Sequence, residues 1–139
     1  MFDVIIFSHG DLAAGLLHAA ELILGKQERV HVFSVQENCD LDLLKYQIQD
    51  YLLSAKEKNY DVLILTDLFF GTPFNIINPM MENFSFQHVT GVNLPFLIEL
   101  FSNRQELTVR NAVLECVPVG KESIIDCVNY FNLRLDGSY

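Results

Sequence analysis

Of the four histidines in the chain, His9 stands where a nucleophile would be useful. It follows the apolar run Phe2-Asp3-Val4-Ile5-Ile6-Phe7 and precedes Gly10, after which Leu12, Leu16, Ala19, Ala20 and Ile23 recur at helical spacing. A strand that turns through a glycine into a helix leaves the helix's first amides and its dipole aimed at the turn, and both favour an anion there. Imidazole titrates near neutrality, so its neutral, nucleophilic form is abundant at ordinary pH. His18, His31 and His88 lack this setting and read as structural or solvent-exposed side chains. The second candidate is Asp67, directly after the apolar run Val62-Leu63-Ile64-Leu65-Thr66. A carboxylate that accepts a hydrogen bond from one ring nitrogen fixes the tautomer and frees the other nitrogen's lone pair. It also stabilises the cationic ring that forms on attack. An Asp in this position serves equally well as a turn or helix cap, and spacing does not choose between the two roles.

Several other chemistries lack their motifs. No GxxxxGK[ST] segment is present, and no GxGxxG follows a strand, so neither a P-loop nor a dinucleotide cradle is expected. A metal-dependent receiver would want an acidic pair after the first strand, where this chain has Ser8-His9. No second His or Cys lies at ligand spacing from His9, so no metal is expected. Without a nucleotide cradle, a phosphoryl group arriving at His9 would have to come from another protein.

The composition narrows the partners. The 139 residues carry 9 basic and 18 acidic side chains, a formal charge of −9, which repels phosphate backbones and anionic lipid. Nucleic acid and membrane surfaces are therefore not expected partners. Half of the residues are apolar, yet charges interrupt them before any run of about 18 accumulates, so no spanning helix is expected. Met1-Phe2-Asp3-Val4 does not open a secretory signal, and the expected location is the cytoplasm. Cys39, Cys116 and Cys127 are odd in number and have no CxxC spacing, which reads as reduced thiols.

The elements that must position His9 and Asp67 alternate along the chain. Strands are predicted over residues 2–7, 30–35, 61–66 and 89–92, and helices over 12–24, from an Asp40 cap to about Lys58, from Pro73 through Met81, and from Pro95. Leu107–Val117 is open to either reading, Pro118-Val119-Gly120 is expected to break it, and Lys121–Phe131 looks helical. Alternation of this kind predicts one α/β domain over 1–139, with a mainly parallel sheet covered by helices on both faces in three layers. Active groups in such sheets collect beyond the carboxyl ends of the strands. A flavodoxin-like strand order would set the first and third strands side by side, bringing His9 to Asp67.

Three segments carry a family likeness: Phe2 to Gly10 with its Ser-His-Gly end, Asp67-Leu68-Phe69-Phe70-Gly71-Thr72-Pro73-Phe74-Asn75, and Gly91-Val92-Asn93-Leu94-Pro95. In order and spacing they resemble the enzyme IIA component of the mannose/fructose/sorbose family of the bacterial phosphoenolpyruvate-dependent sugar phosphotransferase system. The resemblance implies a flavodoxin-like fold and a homodimer in which a C-terminal strand crosses to the partner subunit. It implies a phosphotransferase that takes a phosphoryl group from the carrier HPr onto His9 and passes it to an enzyme IIB component. It also implies that Asp67 pairs with His9, that Gly10, Gly71 and Thr72 flank the phosphoryl group, and that no cofactor or metal takes part. Contact with the membrane would run only through IIC and IID subunits. Members of the family usually carry two glycines where this chain has Phe70-Gly71, which places a ring beside the site, and Pro118 interrupts a stretch that the resemblance makes helical.

Two other functions fit the same residues. One is the phosphoryl-donor subunit of dihydroxyacetone kinase, which resembles the same fold but typically has a Gly-Ser segment after the third strand's acidic residue. The other is a regulatory module that reports phosphorylation state. Phe69 and Phe70 cannot both turn inward from an extended loop, so at least one ring is expected in solvent near His9 as a docking surface, unless both fold back onto the helix that begins at Pro73.

Overall fold

The computed structural model describes residues 1–135. Four parallel strands, β1 (Asp3–His9), β2 (Val30–Val35), β3 (Val62–Thr66) and β4 (Gln87–Thr90), lie in the order β2-β1-β3-β4. The chain steps outward from β1 to β2 and then returns past β1 to form β3, so the strand order reverses between β1 and β3. The crevice at that switch point, beyond the strands' carboxyl ends, is where His9 and Asp67 lie. The parallel sheet covered on both faces is what the alternation predicted, and its order is that of the flavodoxin-like fold that the resemblance implied.

The two central strands are apolar at nearly every position because both of their faces are covered. Val4, Ile6, Leu63 and Leu65 pack against α1 (Leu12–Leu24), α4 (Leu94–Asn103) and α5 (Val109–Glu122). Ile5, Phe7, Val62 and Ile64 pack on the other face against α2 (Leu41–Glu57) and α3 (Thr72–Ile77). Asp40 and Asn93 cap α2 and α4 by accepting from the amides of Leu43 and Phe96. At the end of the sheet remote from His9, Arg29 and Tyr51 both donate to the buried Asp3 carboxylate, tying the start of β1 to α2. Among the described residues no helix is long and apolar enough to cross a membrane.

The structure corrects four boundaries. β4 begins at Gln87 and ends at Thr90, because Gly91 turns away with φ +80° and donates its amide, as does Val92, to the carbonyl of Thr66. The helix after Pro73 stops at Ile77 and tightens into a 3₁₀ turn, Asn78–Glu82, since Pro79 has no amide to continue the ladder. The break expected at Pro118 does not occur, and α5 runs through it to Glu122. Pro118 lies on the solvent face, where water can take the carbonyl it leaves unbonded, while Ala112, Val113 and Cys116 are buried against α4. An interior proline costs about 3 kcal/mol, which burial of that inner face offsets. Gly120, expected to be a breaker, is a contact point instead: a Cβ there would lie 3.3 Å from Phe96 Cβ, and Asn93 Nδ2 donates to its carbonyl at 2.9 Å. Last, the chain is not continuously helical from Lys121 to Phe131: a break after Glu122 precedes α6 (Cys127–Leu135). Among the described residues α5 is followed by this helix and not by a strand; residues 136–139 lie outside them.

Candidate functional site

The register of the central pair brings the two predicted side chains together. Phe7 of β1 lies opposite Thr66 of β3, so His9 and Asp67 are the next side chains to emerge at the carboxyl edge. One carboxylate oxygen takes two hydrogen bonds from one residue: the His9 amide and His9 Nδ1 each lie 2.9 Å from Asp67 Oδ2. The His9 side chain is 47% exposed and that of Asp67 is 9% exposed. Burial pushes the Asp67 carboxyl up, but hydrogen bonds from the amide and ring of His9, with the ring's charge, outweigh it and hold the group below its ordinary value. An ionised carboxylate can only accept, so Nδ1 carries the proton and the Nε2 lone pair is left unprotonated.

Ser8 fixes where β1 stops and α1 begins. It is fully buried, and its hydroxyl accepts from the Ala13 amide at 2.7 Å while donating to the His9 carbonyl at 3.1 Å. Gly10 makes the turn with φ +54° and gives its amide to the Val35 carbonyl at 2.8 Å. The expectation that α1 presents unpaired amides to His9 is therefore corrected for Gly10 and Ala13, whose donors are spent inside the fold. Gln36 Nε2 donates to Asp11 Oδ1 at 3.0 Å and ties the loop after β2 to this turn.

The loop after β3 supplies the other wall. A Cβ on Gly71 would come within 3.0 Å of His9 Cε1 and 3.1 Å of the Leu68 carbonyl, so a side chain here would crowd the imidazole that glycine lets the loop lie against. Thr72, half-buried, opens α3 beside it. Phe70 holds φ +60°, a left-handed conformation that bulky residues rarely adopt, and Asn75 Nδ2 donates to its carbonyl at 3.1 Å. Both Phe69 and Phe70 face solvent, at 60% and 68% exposed, with ring centroids 4.1 Å apart. Neither folds back into the core; Phe74 supports them from α3 at 5.0 and 5.3 Å. Sequence reading left Ser8 and Asn75 out, although a hydroxyl just before a helix is a capping signal. It also read His88 as structural or solvent-exposed, and nothing in the sequence announces its ring partner.

The loops 10–11, 36–40, 67–71 and 91–93 carry Asp11, Glu37, Asp40 and Asp67 but no Lys or Arg. Among the described residues no three His, Cys, Asp or Glu side chains gather as a metal would require. An open groove of about 720 Å³ between Leu52, Tyr60, Met81 and Phe84 lies at the opposite end of the sheet. The geometry is that of a half-exposed imidazole with one nitrogen committed to a carboxylate and the lone pair of the other available to an electrophile.

The sequence profile described as "PTS system fructose IIA component" matches residues 3–117. The chain is 27% identical over 128 residues to the PTS system fructose-specific EIIA component of Bacillus subtilis (strain 168), covering 91% of this chain and 87% of that protein. It is 31% identical over 125 residues to the PTS system mannose-specific EIIAB component of Escherichia coli (strain K12), covering 87% of this chain and 38% of that longer protein. The crystal structure of phosphotransferase system component EIIA from Streptococcus agalactiae superposes with a TM-score of 0.83 at 28% identity, over 93% of this chain and 99% of that one. With the profile spanning the sheet, the switch-point crevice and both loops around His9, the chain belongs to the mannose/fructose family of phosphotransferase system EIIA components.

Proposed function

We propose that His9 is the phosphoryl acceptor of this EIIA component. It takes the group from phosphorylated HPr and passes it to an enzyme IIB component, in the cytoplasm, for sugar uptake coupled to phosphorylation through membrane IIC and IID subunits. The observation that carries this reading is the 2.9 Å contact of His9 Nδ1 with Asp67 Oδ2 on a half-exposed ring. In the transfer, the Nε2 lone pair attacks phosphorus and the donor's N–P bond breaks, leaving its electron pair on the donor imidazole. The ring of His9 becomes cationic, and Asp67 stabilises it while its proton stays on Nδ1. Donor and product are both phosphohistidines, so the step is nearly isoenergetic and positioning supplies most of the acceleration. Gly71 sets the ring's orientation by contact, and Thr72 lies beside it at the start of α3.

Partner docking belongs to the same proposal. Phe69 and Phe70 offer an apolar face beside His9, and the acidic loops around it suit a partner whose contact surface is basic. Homodimerisation is also part of it, supported by apolar surface at the C-terminal end, where Ile124 and Val128 are 86% and 73% exposed.

Incubation with phosphoenolpyruvate, enzyme I and HPr tests the central assignment. The wild type should gain one acid-labile phosphate, and folded His9→Ala none; labelling of that variant, or of neither protein, contradicts the assignment.

Asp67→Asn can keep an oxygen where Oδ2 accepts from the His9 amide and ring, but it loses the charge that stabilises the cationic ring formed on attack. Single-turnover transfer from phosphorylated HPr should slow by roughly one to four orders of magnitude. An unchanged rate would reduce Asp67 to a cap.

Phe70→Gly separates docking from packing. Glycine relieves a left-handed strain of about 1–2 kcal/mol and forfeits ring contacts of similar size, so urea unfolding should shift by no more than about 1 kcal/mol. The KM for phosphorylated HPr should rise about tenfold, as for a truncated interface aromatic. A loss of several kcal/mol with normal transfer would make the ring part of the core.

A further inference from the structure

His88 joins the two halves of the site. It lies on β4 opposite Ile64, half-buried, and its Nε2 is 2.9 Å from Oγ1 of Thr66, the fully buried residue before Asp67. Its ring lies 5.3 Å from that of Phe74, tilted by 33°, within the range of a favourable aromatic contact. Phe74 in turn meets Phe69 and Phe70 edge-on. A continuous file of four rings thus runs from the sheet edge to the exposed pair beside His9.

We propose that His88 is a positioning residue: by packing on Phe74 it holds the Phe69–Phe70 face in its docking orientation. This rests on the phosphoryl-carrier reading given above. Phe69 and Phe70 touch each other and Phe74, and Phe74 is anchored on the sheet side by the imidazole. A face that is already ordered loses less conformational entropy on binding, which lowers the KM for a protein partner without touching the chemical step. Burial lowers the pKa of His88 to about 4, so the ring packs as a neutral aromatic at ordinary pH and uses one nitrogen to hold Thr66. The Thr66 bond gives a buried hydroxyl its partner, and the ring contact with Phe74 is what orders the outer pair.

Two variants divide the imidazole's contributions. His88→Gln keeps a group that can bond Thr66 but removes the ring; His88→Phe keeps the ring and removes the bond. The proposal predicts that His88→Gln raises the KM for phosphorylated HPr about fivefold, the factor set by a ring contact of about 1 kcal/mol, with kcat within about twofold of wild type. His88→Phe should keep the wild-type KM. Aromatic NMR of the unphosphorylated proteins gives a readout independent of transfer: the Phe69 and Phe70 ring signals should move in His88→Gln and stay near their wild-type positions in His88→Phe. Unmoved Phe69 and Phe70 signals in His88→Gln overturn the proposal, as does an unchanged KM in that variant or a KM raised equally by both. If wild type takes no phosphate from HPr, the carrier reading fails; the ring signals then still report whether His88 orders the aromatic face.

Discussion

A single carboxylate oxygen governs this end of the molecule. Asp67 Oδ2 accepts from both the main chain and the ring of His9, so the same contact sets where β1 ends relative to β3 and which way the imidazole turns. The main-chain bond holds the carboxylate at the end of β1, and the ring bond then turns the Nδ1 edge of the imidazole toward it. The carboxylate remains ionised because those bonds offset the desolvation that its own burial imposes. The strand register brings the pair together, and the charge then sets the tautomer that leaves the lone pair on Nε2.

Everything around that contact serves to keep it still or to leave it accessible. Ser8 and Gly10 use their local donors and acceptors to finish β1 and start α1, and Gly71 lets the neighbouring loop touch the ring where a side chain would crowd it. On the open side the fold spends stability: Phe70 sits in a left-handed conformation and two phenyl rings face water. Strain and exposed apolar area are both unfavourable in an isolated protein. Their coincidence beside a half-exposed imidazole supports the proposed protein contact, and the absence of cations on the loops around it suits a basic partner.

How far the sequence foretold this depends on the kind of force involved. The central strands were legible because burial on both faces leaves a continuous apolar run, and with the strand order assumed, His9 and Asp67 fell at neighbouring strand ends. Local capping at Asp40 was legible for the same reason: its partner is three residues away. Where tertiary contacts decide, local rules failed. Pro118 and Gly120 look like helix breakers, yet α5 passes through both, because one faces water and the other admits α4 at close range. Amides counted as available at the start of α1 proved to be taken by Ser8 and Val35, partners that only the folded chain reveals. His88 was unreadable for a like reason, its ring partner lying on another element.

The regiochemistry of the phosphohistidine tests the account most directly. With Nδ1 committed to Asp67, the phosphoryl group must reside on Nε2. Nitrogen–phosphorus correlation in ¹⁵N-labelled protein, phosphorylated through HPr, should show the coupling at Nε2 of His9, with Nδ1 protonated. Coupling at Nδ1, or phosphate on any other residue, would contradict the role given to the His9–Asp67 pair.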